Sequence, residues 1–293
     1  MHLAETYREV RAQRRDASWL RPLARDVALT GLGALDRLRR RDEWLRLPRV
    51  QVVYIHHVFQ DEEQPFRRIV EWLVRDHVPI GYSEAVARIR TGDIDRPYVA
   101  FSSDDGLHNI LVAARILEEF GARMCAFVCT DMVGEDDPAT IERFCAERIY
   151  FPPCQFLDWP DLEGLLARGH EVGSHTRSHL ELSVPGVAEL QDEIAGSRTH
   201  LEQRLGHVRH FAFPYGRFRH FSSRARDVVF RSGYESCASA ERGCHVPMGR
   251  AVPSEEMCVR RDHVLAAEDC EHVKHFLIDN ARRACPSNSL YPF

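Results

Sequence analysis

Three polar clusters along the chain hold residue types suited to hydrolytic or metal chemistry. The first is Ser102-Ser103-Asp104-Asp105-Gly106. Two adjacent carboxylates directly after an apolar stretch are costly to leave unpaired. Successive side chains diverge, so one can ligate a metal while the other faces a different atom. The second cluster is Gly173-Ser174-His175-Thr176-Arg177-Ser178-His179. Histidines four apart lie on one side of a helical turn, close enough to share one ion. Asp105, His175 and His179 together would make a two-histidine, one-carboxylate site with open positions. That donor set suits zinc hydrolysis, and it also suits a ferrous oxygenase. The third cluster is Phe211-Ala212-Phe213-Pro214-Tyr215-Gly216, an aromatic strand ending in a turn. A backbone N–H in such a turn can point into a site.

The elements that must position these clusters alternate. The β-branched run Val50 to Ile55 reads as a strand ending at His56-His57. Further strands are expected at 98–102, 124–129, 171–172, 208–213 and 234–238. Helices are expected at 65–76, 83–90 with Ser83 as N-cap, 109–120, 161–167, 187–205, 224–231 and 269–283. Strand–helix alternation predicts an α/β fold with a parallel sheet, either open or closed into a barrel. In such folds chemistry collects where strands end, which is where all three clusters fall. Residues 131–155 show no periodicity and contain Pro138, Pro152 and Pro153. They read as a surface excursion or a cover over the substrate.

Taken in order, the clusters resemble the polysaccharide deacetylases, the NodB-homology family (carbohydrate esterase family 4). Ser102 to Gly106 stands where that family has Thr-Phe-Asp-Asp-Gly. His175 and His179 match its His-Ser/Thr-x-x-His, and Phe211 to Gly216 looks like a variant of its third motif. Val53-Tyr54-Ile55-His56-His57-Val58 looks like the Met-Tyr-His-x-Val opening of one branch. The stretch Trp159 to Leu180 resembles the lead into the second motif. The resemblance covers residues 50 to 265. It implies a distorted, incomplete (β/α) barrel of about seven parallel strands. It also implies that Asp105, His175 and His179 bind one divalent metal, zinc first, with cobalt, nickel or iron as alternatives. By the same resemblance Asp104 is the general base and His56, rather than His57, the general acid. The Tyr215 N–H, next to Pro214, holds the oxyanion. The family's usual arginine near the third motif is missing. Arg261, in a late Arg-x-x-Val resemblance, is expected to orient Asp104 instead, with its neighbour Arg260 as the alternative.

Composition bounds the remainder. The chain has 293 residues, 44% hydrophobic and 28% charged, with net charge -5. It reads as a globular chain with no general reason to bind nucleic acid. Residues 1–49 differ: twelve arginines against seven acids give +5, leaving -10 for residues 50–293. The expected organisation is therefore a basic helical segment, 1–49, before a catalytic domain, 50–293. Trp19, Leu20, Leu23, Val27, Leu32, Leu35 and Leu38 fall near helical spacing. They would pack on the main domain, or lie on an anionic membrane face. No apolar run approaches the roughly 20 residues of a membrane span, and no export signal stands out. The expected location is cytoplasmic, with peripheral contact to the inner membrane face as the variant. The nine cysteines, none in a CxxC pair, read as reduced and mostly buried. Of the sixteen histidines, only His56, His175 and His179 enter the expected chemistry, with His108 beside the first cluster.

The expected function is a metal-dependent hydrolase that removes an N-acetyl group from an amino sugar of a cell-envelope glycan, an exopolysaccharide or a glycan precursor. The alternatives are hydrolysis of another amide or formamide on the same scaffold, and an inactive metal-containing carbohydrate-binding module.

Overall fold

The computed structural model describes residues 3–13, 29–33, 35–36, 38–39 and 41–293. Trp19, Leu20, Leu23 and Val27 of the expected N-terminal helix lie outside the described residues.

Nine strands form one sheet: β1 Arg49–Ile55, β2 Val78–Pro79, β3 Pro97–Ser103, β4 Met124–Val128, β5 Glu171–Ser174, β6 His210–Ala212, β7 Ser236–Ala238, β8 Cys258–Val259 and β9 Asp262–His263. Their order is β8-β7-β6-β5-β4-β3-β1-β9, with β2 also paired to β3. Every ladder between these strands is parallel. The six strands expected from the sequence are present. The three additions are two residues long, too short for a period of two to show.

β8 and β9 stand at opposite ends of the sheet, yet only Arg260 and Arg261 separate them in the chain. Three peptide steps reach at most about 11 Å. The sheet therefore curls until its two edges nearly meet, which is a distorted barrel. Side chains alternate across it. Val50, Val52, Tyr98, Ala100, Cys125, Phe127, Ala212, Ala238 and Val259 share the inner cluster. Val53, Ile55, Val99, Phe101, Met124, Ala126, Phe211, Cys237 and Cys258 pack outward under the helices. Burial on both faces is what a parallel sheet requires.

Several expectations are corrected. Ser83 is not a cap: the helix Tyr82–Thr91 starts after Gly81, and the Ser83 backbone N–H and hydroxyl both bond the Glu171 carboxylate. The helix expected over 187–205 is Val187–Gln191 and Ser197–Leu205, joined by a π-helical turn, Asp192–Gly196. Residues 131–155 hold a helix, Pro138–Phe144, followed by a π-helical turn, Cys145–Ile149. Pro138 starts that helix, which is where proline is tolerated, and the Asp137 carboxylate caps it by accepting from Thr140 N at 2.9 Å. At the N-terminus, the short helix Tyr7–Gln13 buries Val10 in a third cluster with Phe59, Phe144, Cys154 and Phe156. Asp61 accepts from the Tyr7 and Arg8 amides at its start. Seven of the nine cysteines are buried and all are free thiols. Among the described residues, no helix is long and apolar enough to cross a membrane.

Candidate active site

The C-terminal ends of four strands converge on one cavity of about 320 Å³. His56 follows β1, Asp104 and Asp105 follow β3, His175 follows β5, and Pro214 and Tyr215 come soon after β6. Asp104, Asp105, His175 and His179 are all buried.

Asp105, His175 and His179 are the one group of described residues whose donor atoms gather as metal ligands would, all within 4.8 Å of one another. Nε2 of His175 lies 3.6 Å and Nε2 of His179 lies 3.4 Å from Oδ1 of Asp105. These separations leave room for an ion among the three. Nδ1 of His175 donates to the Ala212 carbonyl at 2.8 Å, which leaves Nε2 as the free lone pair. Burial pushes the Asp105 carboxyl up to about 6; His56 opposes this and Asp104 adds to it. Burial likewise holds both histidines below their usual range, so they are neutral donors. The residues present therefore fit a cation bound through one carboxylate and two imidazoles.

The two histidines do not meet on a helical turn. They lie on a bent loop where Thr176 (φ 67°) and His179 (φ 57°) are left-handed. Glu193, in the π-helical turn, braces this loop. Its carboxylate accepts from Arg177 N at 3.0 Å, Ser178 N at 2.9 Å and Ser178 Oγ at 2.6 Å. A helix carrying such a bulge often marks a functional position.

Asp104 faces the other way, into a guanidinium. Arg261 Nη1 and Nη2 donate to its two carboxylate oxygens at 2.7 and 2.8 Å. Arg261 is fully buried, and its Nε donates to the Ser239 carbonyl at 3.0 Å. Burial alone would push the Asp104 carboxyl up. Arg261, with His175, overrides it and holds the group at about 2. Arg260 points elsewhere: its Nε donates to the Asn288 carbonyl and its guanidinium lies over Phe218. Strand alternation explains the choice. Val259 faces the barrel interior, so the residue two further on does too, while Arg260 faces out.

Among the described residues, five non-glycines have left-handed φ: Asp105, Tyr150, Thr176, His179 and Tyr215. Four of them line the cavity, and Thr176 adjoins His175. That conformation costs roughly 1–2 kcal/mol per residue. Its concentration around one cavity marks where the fold tolerates strain. Tyr215 sets its ring edge-on to His179, centroids 4.8 Å apart, and its hydroxyl donates to the Arg148 carbonyl at 3.2 Å. Residues Arg148 to Phe151 form part of the cavity wall, so the excursion expected over 131–155 reaches the site.

Sequence reasoning missed His263, which lines the cavity and meets His56, and Tyr54 beneath them. His57 also lines the cavity but is tied to the buried Glu62 at 3.2 Å. His108 is not in this cavity; its Nε2 lies 3.6 Å from the Asp161 carboxylate.

Residues 91–236 match the family model described as polysaccharide deacetylase. The chain belongs to the polysaccharide deacetylase family. Membership supports deacetylase activity and implies an acetylated glycan as substrate. The matched stretch contains Asp104, Asp105, His175 and His179; His56, Arg261 and His263 come from outside it. Solved structures agree on the fold. IcaB from Ammonifex degensii superposes with a TM-score of 0.62 at 18% identity, over 79% of this chain and 97% of that one. Streptococcus pyogenes deacetylase PplD, in complex with acetate, gives 0.62 at 14% identity, over 79% and 99%. A de-N-acetylase from Aggregatibacter actinomycetemcomitans gives 0.60 at 15% identity, over 78% and 100%. No curated protein matches the chain.

Proposed function

We propose that this deacetylase is a metal-dependent hydrolase that removes an N-acetyl group from an amino sugar in a glycan or glycan precursor of the cell envelope or an exopolysaccharide. The observation that carries the reading is the pairing of two unlike carboxylates in one cavity. Asp105 faces the two histidines, whereas Asp104 is gripped by Arg261. Two environments give two roles. Asp105, His175 and His179 would hold one divalent cation, zinc by the donor set. When bound, such a cation acidifies a water molecule and polarises the acyl carbonyl.

The chain's own residues do the rest. Asp104, kept ionised by Arg261, accepts the proton of the attacking water. The left-handed turn Pro214-Tyr215-Gly216 presents the Tyr215 N–H as an oxyanion donor. His56 protonates the departing nitrogen as the C–N bond breaks. Burial lowers its affinity for the proton, against the pull of Asp105 and Asp104, which makes it a readier donor. Acetate and a free amino sugar leave. The basic residues 1–49 would bring the enzyme to an anionic membrane face on the cytoplasmic side.

The test is acetate release from N-acetylated sugar nucleotides, lipid-linked sugars and oligosaccharides. Release from one of these classes is expected. Release from none, together with hydrolysis of a formamide or non-sugar amide, would move the reading to another amide.

A further inference from the structure

His56 reaches its position with an unusual companion. β9 pairs with the end of β1, placing His263 beside Tyr54. The His263 ring lies over the Tyr54 ring, with centroids 5.0 Å apart. It meets the His56 ring edge-on at 4.8 Å. Nδ1 of His56 and Nε2 of His263 are 3.0 Å apart. Two imidazole nitrogens at that distance share one proton, so one donates and the other accepts.

Chemistry decides the direction. An imidazolium has both nitrogens protonated, so when His56 carries the proton it must donate, and Nε2 of His263 must be the acceptor. His263 suits that part. Burial holds it well below the usual histidine range, and His56 and the Arg242 guanidinium add to this. Arg242 also donates to its backbone carbonyl at 3.3 Å. The charged or titratable groups that act on the pair are Asp104, Asp105, His57, His175 and Arg242.

We propose that His263 is the positioning residue of the catalytic acid: its Nε2 accepts from Nδ1 of His56 and so turns Nε2 of His56 toward the leaving nitrogen. This rests on the reading of His56 as the acid. In the step, the Nε2–H proton of His56 passes to the amine nitrogen as the acyl C–N bond breaks. The Nδ1–H stays with His56 and keeps its bond to His263. An acid is commonly oriented by a third group. A neutral imidazole in that place orients His56 without adding the negative charge of a carboxylate.

The experiment uses the zinc-loaded full chain and two acyl substrates. One is an N-acetylated chito-oligosaccharide, whose amine cannot leave unprotonated. The other is para-nitrophenyl acetate, whose phenolate leaves without an acid. His263→Phe keeps the ring but removes the acceptor, and His263→Gln restores an acceptor at the same reach. For the amide, kcat should fall about 10- to 100-fold in His263→Phe, as losses of orienting partners do, with KM little moved. His263→Gln should recover most of it. The loss on the amide should exceed that on the ester by about tenfold or more, within the range expected of one acid. His263→Leu replaces His263→Phe if the latter fails to fold. Equal losses on both substrates, or a kcat within twofold of the parent, would overturn the proposal. His56→Ala separates the two levels. If it spares the amide, the acid reading itself fails. If it abolishes amide cleavage while His263→Phe does not, only the role of His263 fails.

Discussion

Arg261 and Asp104 meet through two parallel bonds of 2.7 and 2.8 Å, with the arginine fully buried inside the barrel. The arginine stands in the two-residue step between the opposite edges of the sheet. The ion pair that keeps the proposed base ionised is thus built into the step that joins the two edges of the sheet.

Arg261→Met should therefore cost stability as well as turnover. Removing one partner of a buried ion pair costs about 3–5 kcal/mol. The pH dependence has a definite sign. The folded-state value of Asp104, about 2, lies below its ordinary 3.8. Its contribution is whole above the ordinary value and is lost as pH falls through about 2. Chemical denaturation from pH 7 to 2 should show the gap between parent and Arg261→Met narrowing at the acid end. A gap independent of pH would contradict the assigned charge state.

The two aspartates should separate cleanly. Asp104→Asn, loaded with zinc, is expected to keep the metal and lose turnover, because the proposed base is gone and the proposed ligands remain. Asp105→Asn is expected to lose both. Metal analysis alongside acetate release checks this. Zinc loss in Asp104→Asn with activity retained would mean the two roles are exchanged.

Glu193 accepts three hydrogen bonds from Arg177 and Ser178, between the two histidines, without being a ligand. Glu193→Gln should weaken zinc binding about 10- to 100-fold, as losses of outer partners do. Competition with a chromogenic chelator gives the value.

A side chain at position 216 has nowhere to go. A Cβ on Gly216 would lie 2.2 Å from the Ala240 Cβ and 2.6 Å from its nitrogen, and φ there is 64°. Gly216→Ala should displace the Pro214–Tyr215 turn and lower kcat by about 10²-fold, the scale of one misplaced oxyanion donor. Zinc content should be unchanged.

Much of this was legible in the chain. Asp104-Asp105 and His175 with His179 are local motifs at strand ends, and the family resemblance is what joined the two motifs into one site. Period two explains why Arg261 and not Arg260 reaches Asp104, yet the register was invisible because β8 and β9 are two residues each. His263 was missed for the same reason: its meaning comes from pairing with β1, some two hundred residues away. The left-handed residues left no trace, since none of the five is a glycine. The helix Pro138–Phe144 was hidden by a proline that begins it rather than breaking it.

The central claim is that hydrolysis runs on a cation held by Asp105, His175 and His179. Its most direct test is a single titration: zinc is returned in steps to the metal-stripped enzyme, and acetate release from the preferred N-acetylated sugar is measured at each step. The account predicts no release without metal and a rate rising in proportion to bound zinc up to one ion per chain. A rate already full in the stripped enzyme, and unmoved by zinc, would contradict it.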